Sequence, residues 1–331
     1  MKFGAVPLAK ARDAILAHSL RLGGTRLRKG HKITEVDIAR LREAGMSEVT
    51  VARLEPGDLH EDEAALAFAT ALQGGAPGIA FSAPFTGRVN LIAEAPGVVL
   101  IDAARINAAN EVDPMVTVAT VPPFHQIQTG GMIATIKIIS YAVGRSLVMA
   151  ASDAGHGAVR LARPVYEDAS LIVTDSPGGP GAKGVEAIEA RLKGLGMRLV
   201  ETVTVPHDER ALSEAISRAH GAIVLILTGS ATSDPADTAP AALRRAGGRV
   251  ERFGMPVDPG NLLFLGDLGT KPVIGLPGSA RSPVLHGADW VLSRVACGIQ
   301  VTSADIAAMG VGGLLKEIPT RPQPRERRQK S

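Results

Sequence analysis

Aromatic residues are scarce: seven Phe, two Tyr and one Trp make up 3 % of the chain. Hydrophobic cores must therefore be built from Ala, Val, Leu and Ile, and platforms on which nucleic-acid bases could stack are few. There is a single cysteine, Cys297. This excludes an intrachain disulfide and a cysteine-based zinc site, and its apolar surroundings suit a buried structural thiol. Long apolar runs are also missing. The stretch Ala222–Leu227 falls far short of the ~20 residues of a membrane span, and no N-terminal segment has the form of a signal peptide. The expectation is a cytoplasmic protein with no membrane partner. Strong charge of one sign is lacking too. The formal net charge is +3, and Arg321, Arg325, Arg327, Arg328 and Lys330 near the C-terminus account for it against Glu326 alone. The remainder is close to neutral, which argues against a nucleic-acid groove. Residues 319–331 read as a basic, disordered, solvated tail, with contact to an anionic partner as the other reading.

What is present is an ordinary globular composition of 331 residues, 45 % hydrophobic and 21 % charged, long enough for two domains with real cores. A short strand and a helix over Leu8–Leu20 are expected first. Thr34 followed by Asp37 resembles a capping box, Val36, Ile38 and Leu41 give an apolar face, and Gly45 ends the helix. Alternation at Val49, Val51 and Leu54 predicts a strand. An acidic loop at Pro56–Glu63 leads to an Ala-rich helix over Asp62–Leu72. From Phe81 to Val148 the pattern is β-rich, with strands at Val98–Ile101, Met115–Val121 and Met132–Ile139. His125 and His156 have no ligand-spaced partner and read as surface residues. Turn-rich residues 151–165 place a boundary between a mixed, β-rich α+β domain (1–160) and a second domain (161–318).

In the second domain strands and helices alternate. Strands are expected at Leu171–Thr174, Leu199–Val205, Ala222–Leu227 and Pro272–Leu276. Helices are expected at Lys183–Leu195, Glu209–Ala219, Thr238–Ala246 and Pro283–Ala296, with Asp208 and Ser282 as N-caps. Apolar strands without alternation require a sheet covered on both faces. The fold class is a three-layer αβα domain with a mostly parallel sheet.

Ligands of open α/β sheets sit beyond the carboxyl ends of the strands. Three loops there are rich in glycine and hydroxyls, and each opens a helix. The first holds Thr174, Asp175, Ser176 and Gly178–Gly181. The second holds Thr228, Gly229, Ser230, Thr232, Ser233, Asp234 and Asp237. The third holds Pro277, Gly278, Ser279, Ala280, Arg281 and Ser282. Glycine allows close backbone approach, and a helix N-terminus favours phosphate. Capping alone could explain one such loop; three on one rim point to a ligand site. Gly178–Gly181 lacks the spacing of a dinucleotide fingerprint or a P-loop. Asp234 and Asp237 could hold Mg²⁺ beside a phosphate; the alternative is that Asp237 caps the helix starting at Thr238. His207 and Asp208 follow a strand that ends at the same rim, with Asp208 as either a rim residue or a cap.

The run Thr228–Asp237 resembles the TGGxSxGxxD signature of molybdopterin-binding domains, found in molybdopterin adenylyltransferases and molybdenum insertases. Met255–Asn261 resembles the insertase loop "KPGKP", and Gly275–Ser279 resembles "GLPGNP". Gly24–Thr34 with Leu41–Gly45 and Glu48–Val49 is similar to an insertase N-terminal segment. The resemblance spans most of residues 1–300. It also extends to fused proteins in which a molybdopterin-binding region precedes a cofactor nucleotidyltransferase, a catalytic domain not found in this sequence. It implies that Thr174–Ser176, Thr228–Ser230, Thr232–Asp234, Pro259, Gly260, Asn261 and Pro277–Ala280 bind molybdopterin or molybdenum cofactor. It further implies Asp237 as a catalytic, metal-linked residue. Several departures stand out. Ser230 and Asp234 replace signature glycines, Asp175-Ser176-Pro177-Gly178 stands where insertases have "TGDEL", Ser279-Ala280 replaces "NP", and Asp258 sits where a Lys is common. Losing that cation weakens a phosphate site, because charge-assisted contacts are about twice as strong as neutral ones.

Two functions follow from the resemblance. One is a binding module that carries molybdopterin or its metal-loaded form to a nucleotidyltransferase or an apo-molybdoenzyme. The other is an active transferase, an adenylyltransferase or molybdate insertase using Mg²⁺ and ATP. Pyridine-nucleotide hydrolysis, known for a related domain, is a third reading that the insertase-like N-terminal segment opposes. The family also implies a homo-oligomer.

Overall fold

The computed structural model describes residues 1–22, 24–175 and 181–315. Ser176, Pro177 to Pro180 and the basic tail lie outside them. The chain divides into two compact units, Met1–Ala95 with Val99–Leu161, and Pro96–Val98 with Ala162 onward. No helix among the described residues is long and apolar enough to cross a membrane.

In the first unit, strand Glu48–Arg53 is central to a three-stranded antiparallel sheet, flanked by Lys2–Pro7 and Ile15–Leu16. The expected helix over Leu8–Leu20 does not form. Only a single turn, Leu8–Lys10, is helical. Asp13 takes a left-handed φ of 62°, which ends a right-handed helix, and Ile15 and Leu16 pair with Ala52 and Val51 instead. Burial of Ala11, Ile15 and Leu16 satisfies the same apolar pattern without a helix. The capping box is present: Thr34 Oγ1 accepts from the Asp37 amide, and Asp37 Oδ2 accepts from the Thr34 amide at 2.9 Å. The helix it starts is Glu35–Glu43. Burial would raise the Asp37 carboxyl. Hydrogen bonds from Thr34 and His31 outweigh that and hold it at about 2. Helix Glu61–Gln73 ends at Gly74, φ 59°, and buries Phe68 and Leu72 against Leu91, Ile133 and Ile136. These belong to an antiparallel sheet ordered Val116–Thr120, Met132–Ile138, Arg88–Ala93, Ile79–Phe81. Helices Ala103–Val112 and Arg145–Gly155 interrupt this β-rich stretch. The apolar periodicity of Ala103–Val112 is weak, because only Ile106 and Ala109 are buried.

The second unit alternates as expected and is labelled in chain order: β1 (Asp168–Asp175), α1 (Gly181–Gly194), β2 (Arg198–Pro206), α2 (Glu209–Arg218), β3 (Ile223–Leu227), α3 (Thr238–Arg245), β4 (Arg249–Phe253), β5 (Phe264–Leu268), β6 (Lys271–Leu276), α4 (Gly287–Ala296) and α5 (Ser303–Ala308). The sheet order is β2-β1-β3-β6-β5-β4. The first four are mutually parallel, β5 runs antiparallel to β6, and β4 antiparallel to β5. Leu171, Leu225 and Ile274 face one side with Ile188, Leu192, Val291 and Leu292 of α1 and α4. Ile172, Val224 and Val273 face the other with Leu212, Ile216, Ala242 and Leu243 of α2 and α3. Each such aliphatic side chain contributes roughly 1.5–3 kcal/mol on burial. The domain is three-layered with a mostly parallel sheet, as the sequence implied. Cys297, which caps α4, is buried, and burial raises its thiol to about 11.

Asp208 does cap α2, accepting from the Ala211 amide at 3.0 Å. Ser282 does not cap α4. That helix starts at Gly287, and His286 with Asp289 forms its capping box. The residues between are held out of the helix because Arg191 Nη2 donates to the carbonyls of Ser282 and Val284. At β5 and β6, Gly275 lies opposite Phe264, and a Cβ on Gly275 would sit 1.9 Å from a Phe264 ring carbon.

At the amino end of β1, buried Ser170 Oγ accepts from the Gly221 amide at 2.7 Å and donates to Glu201. Glu201 also accepts from the His220 amide at 2.6 Å. Burial would raise the Glu201 carboxyl; the Ser170 and His220 hydrogen bonds overcome that and hold it at about 2, against an ordinary 4.5. A carboxyl depressed on folding contributes stability above its unfolded value and loses it as pH falls through the folded one. The urea midpoint should therefore decline between about pH 4.5 and pH 2, and Glu201→Gln should flatten that decline while lowering the plateau at neutral pH. An unchanged pH profile in the variant would contradict the assignment.

Candidate functional site

The parallel strands β1, β3 and β6 end on one rim, and their last residues are hydrogen-bonded into one group. Thr174, at the end of β1 and fully buried, accepts from the Gly229 amide at 2.9 Å and shares a 2.9 Å hydrogen bond with His207 Nδ1. Thr228, one residue beyond β3, donates its hydroxyl to the Ser230 carbonyl at 2.6 Å. Arg281, beyond β6, donates Nη2 to the carbonyls of Thr228 at 3.0 Å and Gly229 at 3.2 Å. The second and third loops are thus tied directly, and the first joins them through Thr174.

Positioning of the third loop depends on Arg191 of α1. Its guanidinium reaches Asp289 Oδ1 at 2.6 Å and the carbonyls of Ala280 at 3.0 Å, Ser282 at 2.7 Å and Val284 at 3.1 Å. Ala280 is fully buried, and its amide donates to Pro277. Gly278 is exposed, and a Cβ placed on it would meet nothing within 4 Å. His286, at the foot of α4, is completely buried, and burial lowers its imidazole to about 4.

The loop from Thr228 to Asp237 organises itself. Asp237 accepts from the Ser233 amide at 2.9 Å through Oδ2 and from the Thr238 amide at 2.7 Å through Oδ1. The Ser233 hydrogen bond, with those from Thr238 and the nearby His207 charge, outweighs burial and keeps the Asp237 carboxyl below its ordinary range. Asp234 accepts from the Ala236 amide at 2.7 Å. Thr232 is buried, whereas Ser230, Ser233 and Asp234 are exposed. Both carboxylates therefore serve the loop and the start of α3. Among the described residues no group of three or more His, Cys, Asp or Glu could hold a metal ion.

Pro259, Gly260 and Asn261 are placed differently. The Pro259 carbonyl accepts from the Gly287 amide at 2.9 Å, and the Asn261 carbonyl from Met255 at 3.0 Å. Gly260 has φ 143° and lies so close to Gly287 that a Cβ would sit 2.9 Å from its nitrogen. This loop packs on the start of α4. Asp175 ends β1, exposed, beside Pro206 of β2. Ser176 falls outside the described residues. The sequence places Arg281 in the third loop and His207 just after β2 at the same rim, without assigning either a binding role; Arg191 is the rim residue it does not point to. Arg191 gives no signal, because its partners lie some 90 residues away.

Residues 183–295 match the family described as a probable molybdopterin binding domain, and residues 5–53 match a domain of unknown function. No curated protein matches the chain. Among solved structures, a molybdopterin biosynthesis MoeA protein of Pyrococcus horikosii is 16 % identical, with 90 % of this chain and 75 % of that one covered and a TM-score of 0.33. A molybdenum cofactor biosynthesis protein of Pyrococcus furiosus is 11 % identical, with 93 % and 65 % covered and a TM-score of 0.24. The chain thus spans just under two thirds of the second protein's length.

Proposed function

We propose, from the premise that residues 183–295 belong to the family of probable molybdopterin binding domains, that the rim of β1, β3 and β6 binds molybdopterin or molybdenum cofactor. The chain then acts as a carrier, or as the binding partner of a cofactor nucleotidyltransferase or an apo-molybdoenzyme. The observation that carries this reading is the convergence of Thr174, Thr228, Gly229 and Arg281 through hydrogen bonds of 2.9–3.2 Å. Exposed hydroxyls on Ser230 and Ser233 suit the polar edge of a pterin. Bare Gly278 allows a phosphate to reach the backbone closely. Arg281 brings the positive charge that a phosphate monoester needs.

Carriage is favoured over catalysis by the two carboxylates. Asp237 spends both oxygens on backbone amides, as a helix cap does. The second reading, a Mg²⁺- and ATP-dependent transferase, requires Asp237 to act on substrate.

Anaerobic titration with molybdopterin, followed by pterin absorbance or fluorescence, tests both. Saturable binding is expected, weakened about tenfold in Arg281→Ala and unchanged in Asp237→Asn. Absence of saturable binding would remove the proposal. AMP transfer from Mg-ATP that is lost in Asp237→Asn would move the assignment to the transferase. Hydrolysis of a pyridine nucleotide would replace both.

A further inference from the structure

The run Gly24–Thr34 in the first unit is rich in basic residues. Its residue Lys32 lines a cleft of about 440 Å³ in the first unit, together with Arg12, Asp13, Arg53 and His60, over an apolar floor that includes Ile15 and Leu54. That volume is within the range of small-molecule sites, ~300–1,000 Å³.

The polar side chains lining this cleft are Arg12, Lys32, Arg53 and His60 against a single carboxylate, Asp13. Asp13, the one carboxylate lining it, has its two oxygens engaged by Lys32 Nζ at 3.1 Å and Arg12 Nε at 3.6 Å. Arg12 is further held by Glu35 at 3.0 Å. Asp13 holds these two cations from a left-handed backbone conformation, φ 62°, which disfavours most side chains and marks a position set by its surroundings. Arg53 ends the central strand of its sheet with its side chain exposed, and it makes no ion pair among the described residues. His60 caps helix Glu61–Gln73 with Nδ1, which accepts from the Asp62 amide at 3.3 Å. With Nδ1 accepting, the ring's hydrogen is on Nε2, so His60 offers that nitrogen as a donor. Counting lining charges, three cations face one carboxylate.

We propose that this cleft is a second ligand site, distinct from the rim of the sheet, and that it takes a small organic phosphate. The dianionic head docks on Arg53, Lys32 and His60, and its apolar body lies on Ile15 and Leu54. A planar guanidinium matches two phosphate oxygens at once. The apolar floor makes a bare inorganic anion the poorer ligand.

The full chain is tested by equilibrium dialysis with phenyl phosphate, inorganic phosphate and benzyl alcohol. Phenyl phosphate should bind saturably and at least several-fold tighter than inorganic phosphate, and benzyl alcohol not measurably. Raising the salt concentration should weaken binding. Arg53→Ala and Lys32→Ala, both at exposed positions, should each reduce affinity about tenfold with unchanged thermal midpoints, and Arg53→Lys should retain part of it. Affinity within twofold of wild type in the Arg53→Ala/Lys32→Ala double variant would overturn the site, because any remaining binding would lie elsewhere. Equal affinity for inorganic phosphate would overturn the ligand class.

Discussion

Arg191→Met is expected to destabilise the second unit by about 3–5 kcal/mol, because it strands a buried charge. Arg191 and Asp289 are each only 10 % exposed at the side chain. The guanidinium makes five hydrogen bonds, to Asp289 and to the carbonyls of Ala187, Ala280, Ser282 and Val284. Methionine fills the space and satisfies none of them. Among the described residues, the Asp289 carboxylate would then keep only the capping bond from the His286 amide. Four carbonyls would lose this donor. The chain's one tryptophan, Trp290, is in α4 next to Asp289, so urea unfolding followed by its fluorescence reports on this unit. Arg191→Met/Asp289→Asn should recover part of the loss, since removing both charges costs less than removing one. Molybdopterin affinity should fall as well, because Arg281 is carried on the segment that Arg191 holds. A loss below about 1 kcal/mol in the single variant would show that the cluster is not needed.

Gly221→Ala should be nearly as damaging, through backbone rather than charge. A Cβ at Gly221 would lie 2.2 Å from the Ser170 nitrogen and 2.5 Å from the Ala169 carbonyl carbon. Both atoms belong to β1, which is paired on both sides by β2 and β3, so neither can retreat. The expected cost is about 3 kcal/mol or more, at the upper end of overpacking. It would be read as a lowered urea midpoint. Gly278→Ala supplies the contrast. Its Cβ meets nothing within 4 Å, so stability should stay within about 0.5 kcal/mol, while on the proposed function molybdopterin affinity should fall. Comparable midpoints for the two variants would refute the packing argument.

Much of the second unit is legible in its sequence. Strands such as Ala222–Leu227 carry aliphatic residues on both faces, and that pattern has one common solution, a sheet with helices on each side. The resemblance of Thr228–Asp237 to a molybdopterin-binding signature is borne out by the family match over residues 183–295. The loops after β1, β3 and β6, marked by glycine and hydroxyls, also hold residues that do meet. What stays hidden has physical causes. β4, Arg-Val-Glu-Arg-Phe, is an edge strand whose charges mask the pattern. β5 contains a glycine and an aspartate, which sequence rules assign to turns. Ser282-Pro283 is a good local cap and suggests too early a start for α4; only the distant Arg191 explains why the chain runs on to His286. The Leu8–Leu20 helix fails for the same reason in reverse. Its apolar spacing fits a helix, and pairing with Ala52 and Val51 decides otherwise. At Asp237 the helix cap, one of the two roles its place in the sequence allows, is seen directly in its hydrogen bonds to the Ser233 and Thr238 amides.

The contact between Gly275 and Phe264 has an evolutionary corollary. Neither residue can drift alone: a methyl at 275 collides with the ring, and a smaller residue at 264 leaves a void beneath the bare backbone of β6. An alanine at 275 becomes tolerable once 264 has shrunk to leucine, so replacements at these two sites should arise as matched pairs, with the order of their appearance constrained by the intermediate's fitness.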